Sequence, residues 1–355
     1  VTFLILILGF QSLWSEKFRY PERGGFLKFP RDHGSHPDYK SEWWYITGHF
    51  TDDADIDYGF QLTFFRSASD EENGDEKRQT YMAHVALTDI TNQKYLCEER
   101  FNKEGWNAGA REGTLDVFNG NWFLRMDEDS ESMKARFSIA GMGVISIQMN
   151  PLKPRVLFGD NGYSKKGEDL HAASYYITFS RLELKGEVDT GKGKRTIKGE
   201  CWMDHEYSSS HLSANQIGWD WASLQLADGR EIMAYSMRRD DGKIDPFSSF
   251  NVISQDGQVE SLYGDSFQWR PVEFWTSPIS GGRYPVVYEI SWKNSAGSEE
   301  VLRIQSLMDE QEFDGKISGF HYWEGACEVL NREGERVGMG YTEMTGYHQS
   351  LNGRF

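Results

Sequence analysis

Trp43-Trp44-Tyr45-Ile46-Thr47-Gly48-His49-Phe50, a polar turn, and then Phe60-Gln61-Leu62-Thr63-Phe64-Phe65-Arg66 carry the architecture of this chain, because the pattern returns in its second half. There it reads Trp219-Asp220-Trp221-Ala222-Ser223-Leu224-Gln225-Leu226, Asp228-Gly229, and Ile232-Met233-Ala234-Tyr235-Ser236-Met237-Arg238. Both stretches start on paired tryptophans and finish on an arginine, Arg66 or Arg238. The next segments echo each other as well, His84-Val85-Ala86-Leu87-Thr88-Asp89 with Asn251-Val252-Ile253-Ser254-Gln255-Asp256. Order kept across several elements is the mark of an internal duplication.

The repeated unit is built of strands. Segments such as Asn121-Trp122-Phe123-Leu124-Arg125-Met126 and Ser174-Tyr175-Tyr176-Ile177-Thr178-Phe179 are short, rich in aromatic and β-branched residues, and separated by Gly, Asp and Asn. Asp228-Gly229, Asp241-Gly242 and Asp256-Gly257 are type I′-like hairpin signals at the spacing of antiparallel meanders, and long helical periodicity is absent. The fold class expected is all-β: two antiparallel β-barrel domains, residues 26–205 and 206–355, whose halves meet near residues 200 to 215.

A chain of 355 residues accommodates two such domains with a sizeable core in each. Its net charge of −17 and the lack of a basic patch disfavour nucleic acid and anionic membrane surfaces as partners. Aromatic residues make up 14%, with 12 tryptophans, enough to fill two β cores and to wall an apolar pocket. Cys97, Cys201 and Cys327 show no C-x-x-C spacing, so neither zinc nor a redox motif is indicated. A Cys97–Cys201 or a Cys201–Cys327 bridge is compatible with an oxidising compartment. Val1-Thr2-Phe3-Leu4-Ile5-Leu6-Ile7-Leu8-Gly9-Phe10 has the texture of a signal-peptide core or short anchor within residues 1–25, which points to export to the periplasm or envelope. The competing reading is a buried N-terminal strand. The charged run from Asp70 to Arg78 reads as a solvated loop.

Chemistry concentrates in Trp202-Met203-Asp204-His205-Glu206-Tyr207. Adjacent ionisable groups among aromatics are paired or used. On a strand, Asp204 and Glu206 share one face with Trp202, while His205 shares the other with Met203 and Tyr207.

Trp-anchored meanders closing into barrels are how lipocalin-like domains enclose a small apolar ligand, and Gly218-Trp219 is weakly consistent with the Gly-x-Trp of a lipocalin first strand, its two residues being adjacent rather than one apart. Longer strings carry a more specific resemblance: Pro30-Arg31-Asp32-His33-Gly34-Ser35-His36-Pro37, Glu42-Trp43-Trp44-Tyr45-Ile46-Thr47-Gly48, Trp202-Met203-Asp204-His205-Glu206, Tyr322-Trp323-Glu324-Gly325 and Gly340-Tyr341-Thr342-Glu343-Met344-Thr345-Gly346-Tyr347. In this order they resemble the AttH-like / hydroxyneurosporene synthase (carotenoid 1,2-hydratase, CrtC-like) family of lipocalin-like proteins, from about Pro30 to Tyr347. The resemblance implies two calycin-type barrels, a lipid or isoprenoid ligand and, in one branch, addition of water to a terminal alkene. Pericyclic ring closure also occurs within the wider superfamily, so fold alone does not fix the reaction.

Alkene hydration needs an acid, an aromatic pocket for the cation and a placed water. Asp204, His205, Glu206 and Tyr235 are therefore the candidate catalytic residues. Trp43, Trp44, Tyr207, Trp219, Trp221, Tyr322 and Trp323 are the candidate ligand walls. Glu42, Arg66, His84, Arg238, Glu324 and Glu343 are the candidate structural polar groups, with Glu42 pairing Arg66 or capping backbone donors. The hydratase branch carries Tyr-x-Asp where this chain reads Tyr235-Ser236-Met237, which weakens the hydratase expectation. His33 and His36 lack a third-ligand motif, so no metal is expected, and no cofactor. Ser208-Ser209-Ser210 lacks a Gly-x-Ser-x-Gly elbow and reads as a turn. The reading is an exported binder of an apolar lipid or isoprenoid small molecule. Its alternative is a hydro-lyase or isomerase acting on such a molecule, and a third is a component of an envelope transporter.

Overall fold

The structure, a computed structural model, describes residues 18–69, 78–210 and 212–351. The apolar stretch Val1 to Phe10 and the charged run from Asp70, apart from Arg78, lie outside the described residues. Among the described residues the helical elements are two three-residue 3-10 turns, Arg31–His33 and Gly264–Ser266. The rest of the regular structure is strand.

The first half contributes β1 (Ser41–Asp52), β2 (Asp57–Ser69), β3 (Arg78–Asp89), β4 (Lys94–Lys103), β5 (Ala108–Ala110), β6 (Asp116–Asn119), β7 (Trp122–Met126), β8 (Met133–Ile139), β9 (Gly143–Pro151), β10 (Val156–Leu157), β11 (Tyr163–Lys165), β12 (Ala173–Asp189) and β13 (Lys194–Ser210). The second contributes β14 (Gln216–Leu226), β15 (Glu231–Arg239), β16 (Ser249–Ile253), β17 (Val259–Tyr263), β18 (Phe267–Thr276), β19 (Arg283–Lys293), β20 (Glu299–Ser306), β21 (Glu312–Asp314), β22 (His321–Leu330) and β23 (Arg336–Met344). They form two antiparallel sheets ordered β4-β3-β2-β1-β13-β12-β9-β8-β7-β6-β5 and β17-β16-β15-β14-β23-β22-β20-β19-β18. In each, a four-strand meander is followed by excursions, and the last strand returns beside the first. The duplication seen in the Trp hairpins is thus a duplication of topology. β13 runs unbroken through residues 205 and 206 to Ser210, so the chain leaves the first sheet there and enters the second at Gln216. Ser208, Ser209 and Ser210 belong to that strand rather than to a turn.

The period of two divides the core into three. Trp44, Ile46 and Phe50 of β1 join Cys201 and Met203 of β13 inside the first sheet, which curls so that β3 and β4 oppose β8. Ala222, Leu224 and Leu226 of β14 start the equivalent core of the second. The intervening residues, Tyr45 of β1, Trp202 of β13, Trp221 of β14 and Met233, Tyr235 and Met237 of β15, meet in a third cluster between the sheets. Strands buried on both faces read as near-continuous apolar runs. The interiors of both sheets are filled by side chains, and the third cluster lies at the seam between them.

Gly59 sets how closely the sheets approach: a Cβ there would stand 2.4 Å from the Cβ of Ala326. Across the seam, Arg181 Nε and Lys153 Nζ donate to the fully buried Glu231 at 2.7 and 2.7 Å. Gln225 Nε2 donates to Ser180 O at 2.8 Å, and Thr88 Oγ1 donates to Gln311 Oε1 at 2.6 Å.

The Asp-Gly turns differ from the type I′ expected. At Asp228-Gly229 the Gly229 N–H donates to Leu226 O (3.1 Å) and the Leu226 N–H to Arg230 O (2.9 Å), and only the glycine has positive φ, 84°. That is a type I turn closed by a glycine bulge, which needs one left-handed residue where type I′ needs two. The same bonding recurs at Gly242 and Gly257. All three cysteines are free thiols, so neither bridge forms.

Candidate active site

A cavity of about 150 Å³ opens in the seam, walled by side chains of both sheets. Its polar groups sit on two rungs of strand pairing. Across the first sheet, Thr178, Asp204, Tyr45, Thr63 and His84 are successive neighbours on β12, β13, β1, β2 and β3. Across the second, Tyr235, Trp221, Glu343 and Glu324 follow one another on β15, β14, β23 and β22. In each rung the returning strand places a carboxyl beside an aromatic of the first strand: Asp204 beside Tyr45, Glu343 beside Trp221. The two aromatics meet edge to face, 5.1 Å between centroids.

Asp204 is buried and accepts from Tyr176 Oη at 2.7 Å, Thr178 Oγ1 at 2.5 Å and Trp202 Nε1 at 2.8 Å, and Trp221 Nε1 donates to Tyr176 Oη at 3.1 Å. Burial outweighs these bonds and, with Glu206 nearby, lifts its pKa to about 7. Glu343 is raised to about 7 for the same reason, opposed by a long Trp219 Nε1 bond of 3.4 Å. Glu206 is paired with Lys166 Nζ at 3.1 Å, and that ammonium lies 4.6 Å from the Tyr176 ring centroid and 4.3 Å from that of Tyr235.

Glu324 differs from the others. It is 1% exposed, and neither oxygen has a hydrogen-bond partner of regular geometry, although the hydroxyls of Tyr45 and Tyr322 stand against it. Burial first, and Glu343 second, hold its pKa well above the carboxylate range. A carboxyl so placed keeps its proton, because burial removes the solvent the anion needs and the neighbouring Glu343 carboxyl disfavours a further negative charge, which outweighs the two tyrosine hydroxyls.

Of the expected site residues, the structure brings Asp204, Glu206, Tyr235, Trp43, Trp219, Trp221 and Tyr322 to the cavity. His205, Trp44 and Tyr207 project from the other faces of β13 and β1. His205 stacks on Trp44 at 5.0 Å, and Tyr207 packs with Tyr39, Tyr175 and Ile177. Trp323 lies in the second core and donates to Asp309 O at 2.6 Å. Each of these alternates with a cavity residue, and a strand cannot present neighbours to one space. Conversely, Glu324, Glu343 and His84, expected as structural, line the cavity.

Glu42 and Arg66 form the anchoring pair, with Arg66 Nε 2.8 Å from Glu42 Oε2. The His36 N–H caps the same oxygen at 2.9 Å, while His36 Nδ1 and His205 Nε2 each lie 2.8 Å from Oε1. His36, Glu42 and His205 have metal-ligand chemistry, but the Arg66 guanidinium already supplies positive charge at the carboxylate. The second repeat carries a counterpart in Asp220 and Arg238, 3.2 Å apart, with Tyr347 Oη donating to Asp220 at 3.1 Å.

Tyr45, Phe65, Met82, Lys166 and Tyr176 are cavity residues not anticipated. Tyr45 and Phe65 were within reach, since each shares a strand face or pairing with Trp43. Lys166 follows β11 in a loop, where no periodicity marks it.

The AttH-like family model matches residues 20–347. Among solved structures, an AttH protein from Nitrosomonas europaea superposes with a TM-score of 0.83 at 31% identity, covering 93% of this chain and 99% of that one. Kievitone hydratase from Nectria haematococca gives 0.67 at 13% identity over 93% and 98% of the two chains. CghA, solved with Sch210972, gives 0.51 at 10% over 88% and 89%. The last two likenesses concern the fold. No curated protein matches the chain. With the family match spanning nearly all the described residues, and the AttH structure covering 93% of the chain at 31% identity, the chain belongs to the AttH-like family.

Proposed function

We propose that the seam cavity binds the unsaturated end of an apolar small molecule and hydrates its double bond. The observation that carries this is Glu324, a buried carboxyl kept protonated and without a regular hydrogen bond, facing an aromatic-walled space. Simple ligand storage gives no reason to retain such a group, which costs stability wherever it is buried unpaired.

In the reaction, the π pair takes the Glu324 proton to form a C–H bond, leaving a tertiary cation on the other carbon. The faces of Trp219, Trp221 and Tyr45 stabilise that cation. Water adds through oxygen, and its surplus proton passes to a cavity carboxylate, so that alkene plus water gives alcohol. Asp204 is the weaker candidate for the acid, since three donors already point at its oxygens and favour the anion. A cavity near 150 Å³ is the size of one that takes a single benzene ring, so one prenyl unit enters and the remainder of the ligand lies along the mouth.

The kievitone hydratase likeness is consistent with this reading as an analogy of fold. Met237, lining the cavity where the hydratase branch carries Asp, favours the second reading, a carrier of the same apolar ligands.

Incubation with prenyl-bearing aromatic compounds in oxygen-18 water should yield a labelled alcohol by mass spectrometry. Glu324→Gln should lower turnover by about 10²–10⁴-fold with ligand affinity nearly unchanged. Binding without product across the series would establish the carrier instead.

A further inference from the structure

Lys166 shows how this cavity holds an ammonium. Its Nζ lies 3.1 Å from Glu206 Oε1, with the ring centroids of Tyr176 and Tyr235 at 4.6 and 4.3 Å. The carboxylate supplies the opposite charge and the aromatic faces replace the lost water, which together make a buried cation tolerable. Among the described residues, Lys166 is the one lysine or arginine in the cavity wall.

The opposite end has the same components without the cation. Tyr235 stands at one end of the second sheet's rung and Glu324 at the other, with Trp221 and Glu343 between them. Glu324 and Glu343 face each other directly across the β22–β23 pairing, and both line the cavity with Tyr45, Trp219 and Trp221. The two Glu324 oxygens have no regular partner, and Glu343 has the long bond of 3.4 Å from Trp219 Nε1. Lys166 is held by Glu206, so the wall has no further ammonium to offer them.

Like charges directly opposite on neighbouring strands repel, and burial makes the repulsion worse. Two neutral acids sharing a cavity need no ligand. What that reading leaves unexplained is why carboxyls occupy both opposed positions among aromatic faces, where apolar residues of similar size would pack with less penalty.

We propose that the ligand of the seam cavity is an unsaturated amine, whose protonated nitrogen is received by Glu343 and Glu324 beside the faces of Tyr45, Trp219 and Trp221. The proposal rests on the reading of this cavity as the site of an alkene, to which it adds the nitrogen. On binding, the ammonium keeps its hydrogens, one carboxyl gives its proton to solvent, and the resulting carboxylate accepts from the nitrogen. Glu343 is that carboxyl, because the Trp219 N–H favours its anion. Its negative charge, directly across from Glu324, holds the Glu324 proton in place. An ammonium neutralised in this way adds no net charge near the cation formed at the double bond. The volume of about 150 Å³ holds both groups, so the nitrogen lies within a few bonds of the alkene.

Calorimetric titration compares prenylamine with prenyl alcohol, which share a carbon skeleton and differ in charge. At about pH 6, where Glu343 is mostly protonated, the amine should bind at least about tenfold tighter, as expected for a cation gaining a buried carboxylate and aromatic faces. Repetition in two buffers of different ionisation enthalpy should show proton release with the amine and none with the alcohol. Glu343→Gln should remove both the preference and the release. Thermal melting reports whether that variant folds, and the wild-type comparison decides without it. An amine that binds no tighter than the alcohol, or binds without releasing protons, overturns the proposal, as does a preference that survives in folded Glu343→Gln. Mass spectrometry of the same compounds in oxygen-18 water reads the reaction separately. Preferred amine binding with neither compound hydrated overturns the proposed reaction and leaves the ammonium site standing. Hydration of prenyl alcohol with no preference for the amine does the reverse.

Discussion

Asp204 shows how a single residue ties the site to stability. Its folded pKa of about 7 lies above the ordinary value of 3.8, so between those values the folded protein binds a proton that the unfolded chain has released. Stability is therefore full below about pH 4 and falls as pH rises to about 7, by roughly 4 kcal/mol for a shift of this size. His33, buried and lowered to about 4, acts in the opposite sense: it is neutral when folded and resists protonation, so it removes stability as pH drops from about 6.5 to 4. Asp204→Asn isolates the first effect. Urea titrations between pH 4 and 8 should show the wild type losing stability relative to this variant, and parallel curves would contradict the buried-acid assignment. Asp204 was visible in the sequence as a charge among aromatics. Glu324 was not distinguished from Glu343, because nothing local says which carboxyl will find donors.

At the scale of the element, β2 and β22 determine the width of the seam. Gly59 lets them approach closely, since a methyl there would collide with Ala326 at 2.4 Å. Gly59→Ala should cost about 1–3 kcal/mol through overpacking, and Ala326→Gly in the same chain should restore most of it. Chemical denaturation of the four members of this cycle measures the coupling; additive losses would mean the strands are free to part. Strand faces were legible from alternation, as Trp202, Asp204 and Glu206 on one side and Met203, His205 and Tyr207 on the other show. The turns were less so. Asp228-Gly229 signals a hairpin equally for two loop lengths, and the strands' pairing chose the glycine-bulge form.

For the whole molecule, the seam makes one folding unit of two sheets. Glu231 of the second sheet is fully buried between Arg181 of β12 and Lys153 of the loop after β9, and two cations lose their shared partner if it is removed. Glu231→Leu should destabilise by about 3–5 kcal/mol, the usual penalty for breaking a buried ion pair. Calorimetry should show one transition for the wild type and two for the variant. Separate melting of the wild-type sheets would show instead that the seam is an incidental contact.

The sequence by itself determined the antiparallel all-β class, the duplication and which residues share a strand face, because strand period and turn residues are local properties written into neighbouring positions. The AttH-like strings identified the family through the same contiguous segments. Where the two faces go was decided only by tertiary structure. Tyr45 and Glu324 belong to different sheets, as do Arg181 and Glu231, and no pattern along the chain records which faces will meet. Trp44 and Trp323 resemble Trp43 and Tyr322 in every local respect. They fill cores rather than the cavity because a long-range packing of two curled sheets, and not residue type, determines which alternate positions close over empty space.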